Sequence, residues 1–88
     1  MTYEVRTVRS AERDLRALPS TVVKRVLQAF DSLAVEPRPH GCKKLMVEGR
    51  TLWRIRIGAY RIIYTVDDVV RMVRVQKVGH RRDVYRGI

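Results

Sequence analysis

Hydrophobic and polar positions repeat with two different periods along this 88-residue chain, and the switch between them marks its elements. Thr2 to Thr7 reads as a short strand, with Tyr3, Val5 and Thr7 set against Glu4 and Arg6. The period then lengthens. Ser10 offers an N-cap, Glu12 and Asp14 suit the positive end of a helix dipole, and Ala11, Leu15 and Leu18 form an apolar stripe that Pro19 terminates. Ser20 offers a second N-cap. Behind it Val23, Val26, Leu27, Phe30, Leu33 and Ala34 fall at three-and-four spacing, which predicts an amphipathic helix to about Val35. Pro37, Pro39 and Gly41 then force a loop over Glu36 to Gly41.

Period two returns afterwards. Leu52 to Ile57 alternates Trp53, Ile55 and Ile57 against Leu52, Arg54 and Arg56, and Gly58-Ala59 fits a two-residue hairpin turn with glycine supplying the first positive φ. Tyr60 to Val66 places Tyr60, Ile62, Tyr64 and Val66 opposite Arg61, Ile63 and Thr65; Asp67-Asp68 marks a turn before a third strand, Val69 to Val78. Lys43 to Val47 offers only a weak strand pattern, so the meander counts three strands without it and four with it. The expected fold is α+β: an N-terminal strand, a helical hairpin, then an antiparallel meander of three to four strands covering the helices' apolar stripes. Residues 1–88 are read as one domain, because half this length cannot bury a self-sufficient core.

Charge adds a direction. The chain has nineteen Lys plus Arg against nine Asp plus Glu, net +10, and fifteen of the nineteen are Arg, the residue suited to bidentate phosphate recognition. Residues 1–48 carry nine basic and six acidic side chains, net +3; residues 49–88 carry ten and three, net +7. A polyanionic partner for the C-terminal half is implied. Cys42 is the one cysteine, which excludes an intrachain disulfide framework and a multi-Cys metal site and fits a reducing cytoplasm. No apolar run approaches membrane-spanning length, and Met1 to Arg9 lacks the apolar core of a secretory signal, so a protein without membrane association is expected.

A two-residue Gly58-Ala59 turn sets Ile57 opposite Tyr60, Arg56 opposite Arg61, Ile55 opposite Ile62 and Arg54 opposite Ile63. Arg54, Arg56 and Arg61 then share a sheet face, and like charges opposed across strands cost about 0.2–1 kcal/mol each, a cost that a phosphate between them removes. Arginines also decorate ordinary solvated sheet faces. Against that bland reading, no acidic residue lies between Arg50 and Asp67 to pair with them. The segment from Val78 to Arg86 adds His80 and Tyr85 for proton exchange or stacking and Arg81 for phosphate binding; the competing reading is a frayed basic tail with Val84 and Tyr85 tucked onto the sheet. His40 reads as a solvent-facing loop residue, Cys42 as a small core or edge residue, and Asp67-Asp68 as a turn. Glycine-rich phosphate loops, serine elbows and metal-ligand spacings are absent from the sequence, so no metal or cofactor is expected.

This order of elements resembles the RelE/ParE toxin superfamily. The resemblance is carried by Leu52-Trp53-Arg54-Ile55-Arg56, by Gly58 to Tyr64 and by Val78-Gly79-His80-Arg81-Arg82-Asp83-Val84-Tyr85-Arg86, with the RelE branch nearer than ParE. It implies a RelE-like fold and the toxin half of a type II toxin–antitoxin pair. The implied activity is a ribosome-dependent, metal-independent endonuclease that cleaves mRNA at A-site codons by 2′-hydroxyl attack, leaving a 2′,3′-cyclic phosphate and a 5′-hydroxyl. Carried over, the RelE pattern assigns Arg61, Arg81 and Tyr85 to catalysis and Arg54 and Arg56 to the substrate phosphate. RelE has lysines where this chain has Arg54 and Arg56, and arginine is not a classical general base, so His80 or Tyr85 is expected to handle the proton. Implied partners are the ribosome, mRNA and a cognate acidic antitoxin, with a cytoplasmic location. The alternatives are a ParE-like DNA gyrase inhibitor without nuclease activity and a noncatalytic RNA-binding module.

Overall fold

The computed structural model describes residues 2–86. The chain runs β1 (Glu4–Thr7), α1 (Arg9–Ala17), α2 (Ser20–Val35), β2 (Lys43–Val47), β3 (Arg50–Ile57), β4 (Tyr60–Asp67) and β5 (Met72–His80). The strands form one five-stranded sheet in the order β1-β5-β4-β3-β2. The meander is antiparallel as expected and includes the weakly patterned β2 as its edge, whereas β1 joins the far side parallel to β5 and makes the sheet mixed.

Both helices pack on one face of this sheet. Ala11 of α1 and Val26, Ala29 and Leu33 of α2 close over Ile55, Ile62, Tyr64, Val73, Val75 and Val78. The buried stripe of α2 therefore runs through Val26, Ala29 and Leu33, while Leu27, expected inside, is 49% exposed. Ala29 is small enough to let the helix approach the sheet, and that approach sets which face turns inward. The two expected serine caps are also displaced. Val8 precedes α1 without a side-chain cap, and the Ser10 hydroxyl instead donates to the Gln76 carbonyl at 2.9 Å. Pro19 stands at the cap of α2, where its carbonyl accepts the Val22 and Val23 N–H groups. Asp14 accepts the Val78 N–H at 3.0 Å, so a carboxylate expected to serve the helix dipole ties α1 to β5.

The third strand of the meander begins at Met72, not Val69. Asp67 Oδ1 accepts the N–H groups of Val69 and Val70 and Arg71 takes a φ of 55°, so these residues form a loop with Val69 93% exposed. Strand β5 also holds one residue more than its partner. Ile63 pairs with Lys77 but Tyr64 pairs with Val75, leaving Gln76 as a bulge. The extra residue lets Val73, Val75 and Val78 all face the helices although 75 and 78 differ in parity.

At the end of β4 away from Gly58, a polar cluster anchors the proline loop. The buried Tyr64 hydroxyl donates to the Pro37 carbonyl at 2.7 Å. Asp68 accepts from Tyr3 at 2.7 Å and from both terminal nitrogens of Arg38, at 3.1 and 2.7 Å, while Arg38 lies over the Trp53 ring at 5.1 Å. The β2–β3 turn is a type I′ hairpin with Glu48 at φ 48° and Gly49 at φ 76°. Glycine, Asn or Asp is usual at the first position; a bulkier residue there costs on the order of 1–3 kcal/mol.

Candidate functional site

The face of the sheet away from the helices holds the arginines. The Gly58-Ala59 turn has the expected two residues, with Gly58 at φ 60°, and the register pairs Ile57 with Tyr60, Arg56 with Arg61, Ile55 with Ile62 and Arg54 with Ile63. Arg61 is the one charged residue buried among the described residues, at 9% exposure. Its Nη1 donates to the Gly58 and Tyr60 carbonyls at 3.0 Å each, which fixes the guanidinium against the turn. Burial first, then the charges of Arg56, Arg54 and Arg81, hold its pKa below the ordinary arginine value. It remains a cation near neutral pH.

The C-terminal segment folds back over this face and is not a frayed tail. The Arg81 N–H donates to the Ala59 carbonyl at 2.8 Å, and Asp83 and Val84 N–H groups return to the His80 carbonyl. Val84 is buried with Leu52 and Ile63 in a second small apolar cluster. Lys77 Nζ holds the Arg86 carbonyl at 3.1 Å. These contacts bring the Tyr85 hydroxyl to 3.3 Å from Arg54 Nη1, which donates to it. Arg54 Nε is buried with no acceptor among the described residues, an N–H group left for an anion to satisfy. The ion pairs among the described residues are Arg6–Glu4, Arg38–Asp68 and Arg86–Asp83; none neutralises Arg54, Arg56, Arg61 or Arg81.

His80 stands apart from this group. It ends β5 opposite Tyr60, with the two rings edge to face at 5.5 Å. Alternation from Val78 puts it on the helix side of the sheet. Its Nδ1 accepts the Arg82 N–H at 3.2 Å, so the neutral ring carries its proton on Nε2 and offers a donor there. The structure thus gathers Arg54, Arg56, Arg61, Arg81 and Tyr85 and leaves His80 on the opposite face. Arg25 of α2 reaches the Gly58 turn from the helix side, with its Nη1 3.1 Å from where a Cβ on Gly58 would lie. The sequence pattern does not single out Arg25, because nothing in a helical stripe reports which turn the helix passes.

Beside Arg25 an open groove of about 840 Å³ separates α2 from β3, floored by Leu33 and Ile55 and rimmed by Lys43, Arg56 and His40. Strand β2 pairs with β3 only from Lys43–Arg54 onward, so Ile55 to Ile57, paired with β4 on one side, have no strand on the other. Among the described residues no group of three or more His, Cys, Asp or Glu side chains could hold a metal ion. Chemically, the arginine face sets four cations beside a phenol, an arrangement suited to gripping a phosphodiester and to stabilising negative charge that grows on it.

Comparison with known proteins gives this geometry a lineage. The family described as the ParE toxin of the type II toxin–antitoxin system, parDE, matches residues 5–85. Toxin RelG of Mycobacterium tuberculosis is 39% identical over 87 residues, covering 98% of this chain and 99% of that protein. The archaeal RelE-RelB complex from Pyrococcus horikoshii superposes with a TM-score of 0.81 at 32% identity, covering 96% of this chain and 100% of the other. The toxin-antitoxin complex RelBE2 from Mycobacterium tuberculosis gives 0.81 at 34% identity, with 91% and 99% covered. Matched over residues 5–85 by a family model and over more than nine-tenths of its length by relatives more than 30% identical, the chain belongs to the RelE/ParE superfamily and is a toxin of the type II toxin–antitoxin class.

Proposed function

We propose that this toxin is a ribosome-dependent endoribonuclease that cuts mRNA at codons in the A site. The observation that carries the reading is the buried Arg61 fixed among Arg54, Arg56 and Arg81 with no carboxylate to neutralise them. Four like charges held together store repulsion, and a dianionic phosphorane relieves it more than a monoanionic phosphodiester does. Stabilisation that grows toward the transition state raises the rate. In the proposed step the 2′-hydroxyl oxygen attacks the adjacent phosphorus and loses its proton to solvent or a non-bridging oxygen. The P–O5′ bond breaks, and the 5′-oxygen takes a proton from the Tyr85 hydroxyl, which is restored from water. Tyr85 fits this role by its place, since Arg54 Nη1 donates to its hydroxyl at 3.3 Å and so holds it at the margin of the arginine face. His80, from the other face, supports the turn that carries Arg81 and Arg82.

The ribosome supplies the aligned RNA strand, which places the toxin in the cytoplasm; no helix among the described residues is long and apolar enough to cross a membrane. The Pyrococcus horikoshii and Mycobacterium tuberculosis relatives were crystallised in complexes with antitoxins, which supports an acidic antitoxin as the stable partner here, with the groove beside α2 as its basic-rimmed seat. The ParE name of the matching family favours a second reading, inhibition of DNA gyrase by a protein contact. Expression of the toxin followed by parallel mapping of transcript 5′ ends and chromosomal breaks separates the two. Cut transcripts that disappear in Arg81→Ala support the nuclease, whereas DNA breaks with intact transcripts refute it.

A further inference from the structure

A second recess opens on the same sheet face, toward the β2–β3 turn. It measures about 280 Å³, is floored by Val47, Leu52 and Ile63, and is rimmed by Glu48, Arg50 and Lys77. Leu52 and Ile63 are also the floor on which Val84 packs, so the recess is continuous with the arginine site. Arg50 and Arg54 are four residues apart on β3 and share its outer face, which separates them by about 13 Å. A single strand gripped at Arg54 and Arg61 covers that distance within a few nucleotides. The volume lies just below the roughly 300–1,000 Å³ of drug-sized sites and is scaled for one base.

Lys77 is held by the Arg86 carbonyl, but the two charged residues at the turn are uncommitted. Neither Glu48 nor Arg50 takes part in an ion pair among the described residues. A free carboxylate accepts from exocyclic amines and ring N–H groups, and a guanidinium donates to ring nitrogens and carbonyl oxygens; together they read a base edge above an apolar floor. Glu48 also occupies a left-handed position that Gly, Asn or Asp fills with less strain, so the turn carries a backbone cost at the residue that lends the recess its carboxylate. The same carboxylate argues against an acidic peptide as the occupant.

Resting on the reading of this face as an RNA site, we propose that the recess binds one unpaired nucleobase of the substrate strand, flanking the scissile phosphate, and sets base preference there. The test uses the full isotope-labelled chain with a 2′-O-methylated RNA pentanucleotide, which cannot be cleaved, and with the same strand made abasic at each position in turn. Expected are amide shift changes at Arg61 and Arg81 together with Glu48, Arg50 and Lys77. One abasic position should abolish the changes at the recess, keep those at Arg61 and weaken binding about tenfold. Glu48→Gln and Glu48→Gly should both erase the distinction between intact and abasic strands, and Glu48→Gly should raise Tm by relieving the turn. Changes confined to Arg61 and Arg81, or equal effects of every abasic position, would overturn the base site while leaving the phosphate site standing. No RNA response at either place would remove the base site and leave the phosphate site to be judged by cleavage on the ribosome, which supplies the aligned strand there, and a recess that responds to an acidic antitoxin peptide but not to RNA would make it a protein contact.

Discussion

Replacing Arg61 by methionine, similar in length and uncharged, separates the fold from the chemistry. Two hydrogen bonds from a charged donor are lost, each worth about 1.5–3 kcal/mol when the partner is left buried and unpaired. Here the acceptors are turn carbonyls, and Gly58 is exposed, so water replaces much of that loss. Against it stands relief of repulsion with Arg56, Arg54 and Arg81, about 0.2–1 kcal/mol for each like-charge contact. The two nearly cancel. Arg61→Met should therefore keep stability within about 1 kcal/mol, a Tm change of no more than roughly 4–8 °C, while cleavage on translating ribosomes falls about 10²–10³-fold. Thermal denaturation followed by circular dichroism gives the first quantity and single-turnover cleavage the second. A stability loss above about 3 kcal/mol would make Arg61 a structural residue, and cleavage within a few-fold of the native rate would remove it from the site.

Tyr64→Phe leaves the buried Pro37 carbonyl without its donor and should cost about 1–3 kcal/mol, read as a lower Tm. Because burial raises the Tyr64 pKa, its contribution is fully present below the unfolded value of about 10 and is lost as pH rises toward the folded value; Tyr64→Phe should flatten the alkaline limb of the stability curve. The bonds from Arg38 and Tyr3 lower the Asp68 pKa, so that contribution is present above the unfolded value of about 3.9 and disappears as pH falls through the folded one. Asp68→Asn should be less stable than the native chain at pH 7, and urea titration should show the difference narrowing as pH falls below about 3.9.

The arginine register was legible because one local feature decides it. A two-residue turn at Gly58-Ala59 and strict alternation place Arg54, Arg56 and Arg61 on one face, and no tertiary information is needed. The caps and strand boundaries failed where a longer-range contact outcompeted the local one: Ser10 finds the Gln76 carbonyl, and Asp67 folds Val69 and Val70 into a loop. The Gln76 bulge carries no composition signal, since a polar residue between two strand halves reads as ordinary alternation. It also decides His80. Register to Tyr60 puts that ring on the helix side, whereas adjacency in sequence to Arg81 had suggested the arginine face. Arg25 was out of reach for the same reason, because its place depends on how α2 lies across the sheet.

The chemistry itself is tested most directly by the ends it leaves. An mRNA carried into the A site of a stalled ribosome should be cut to give a 5′-hydroxyl on the downstream fragment and a 2′,3′-cyclic phosphate upstream, and a single 2′-deoxy substitution before the scissile phosphate should abolish the cut. Downstream fragments bearing a 5′-phosphate, or cleavage that survives the 2′-deoxy substitution, would contradict attack by the 2′-hydroxyl within the arginine face.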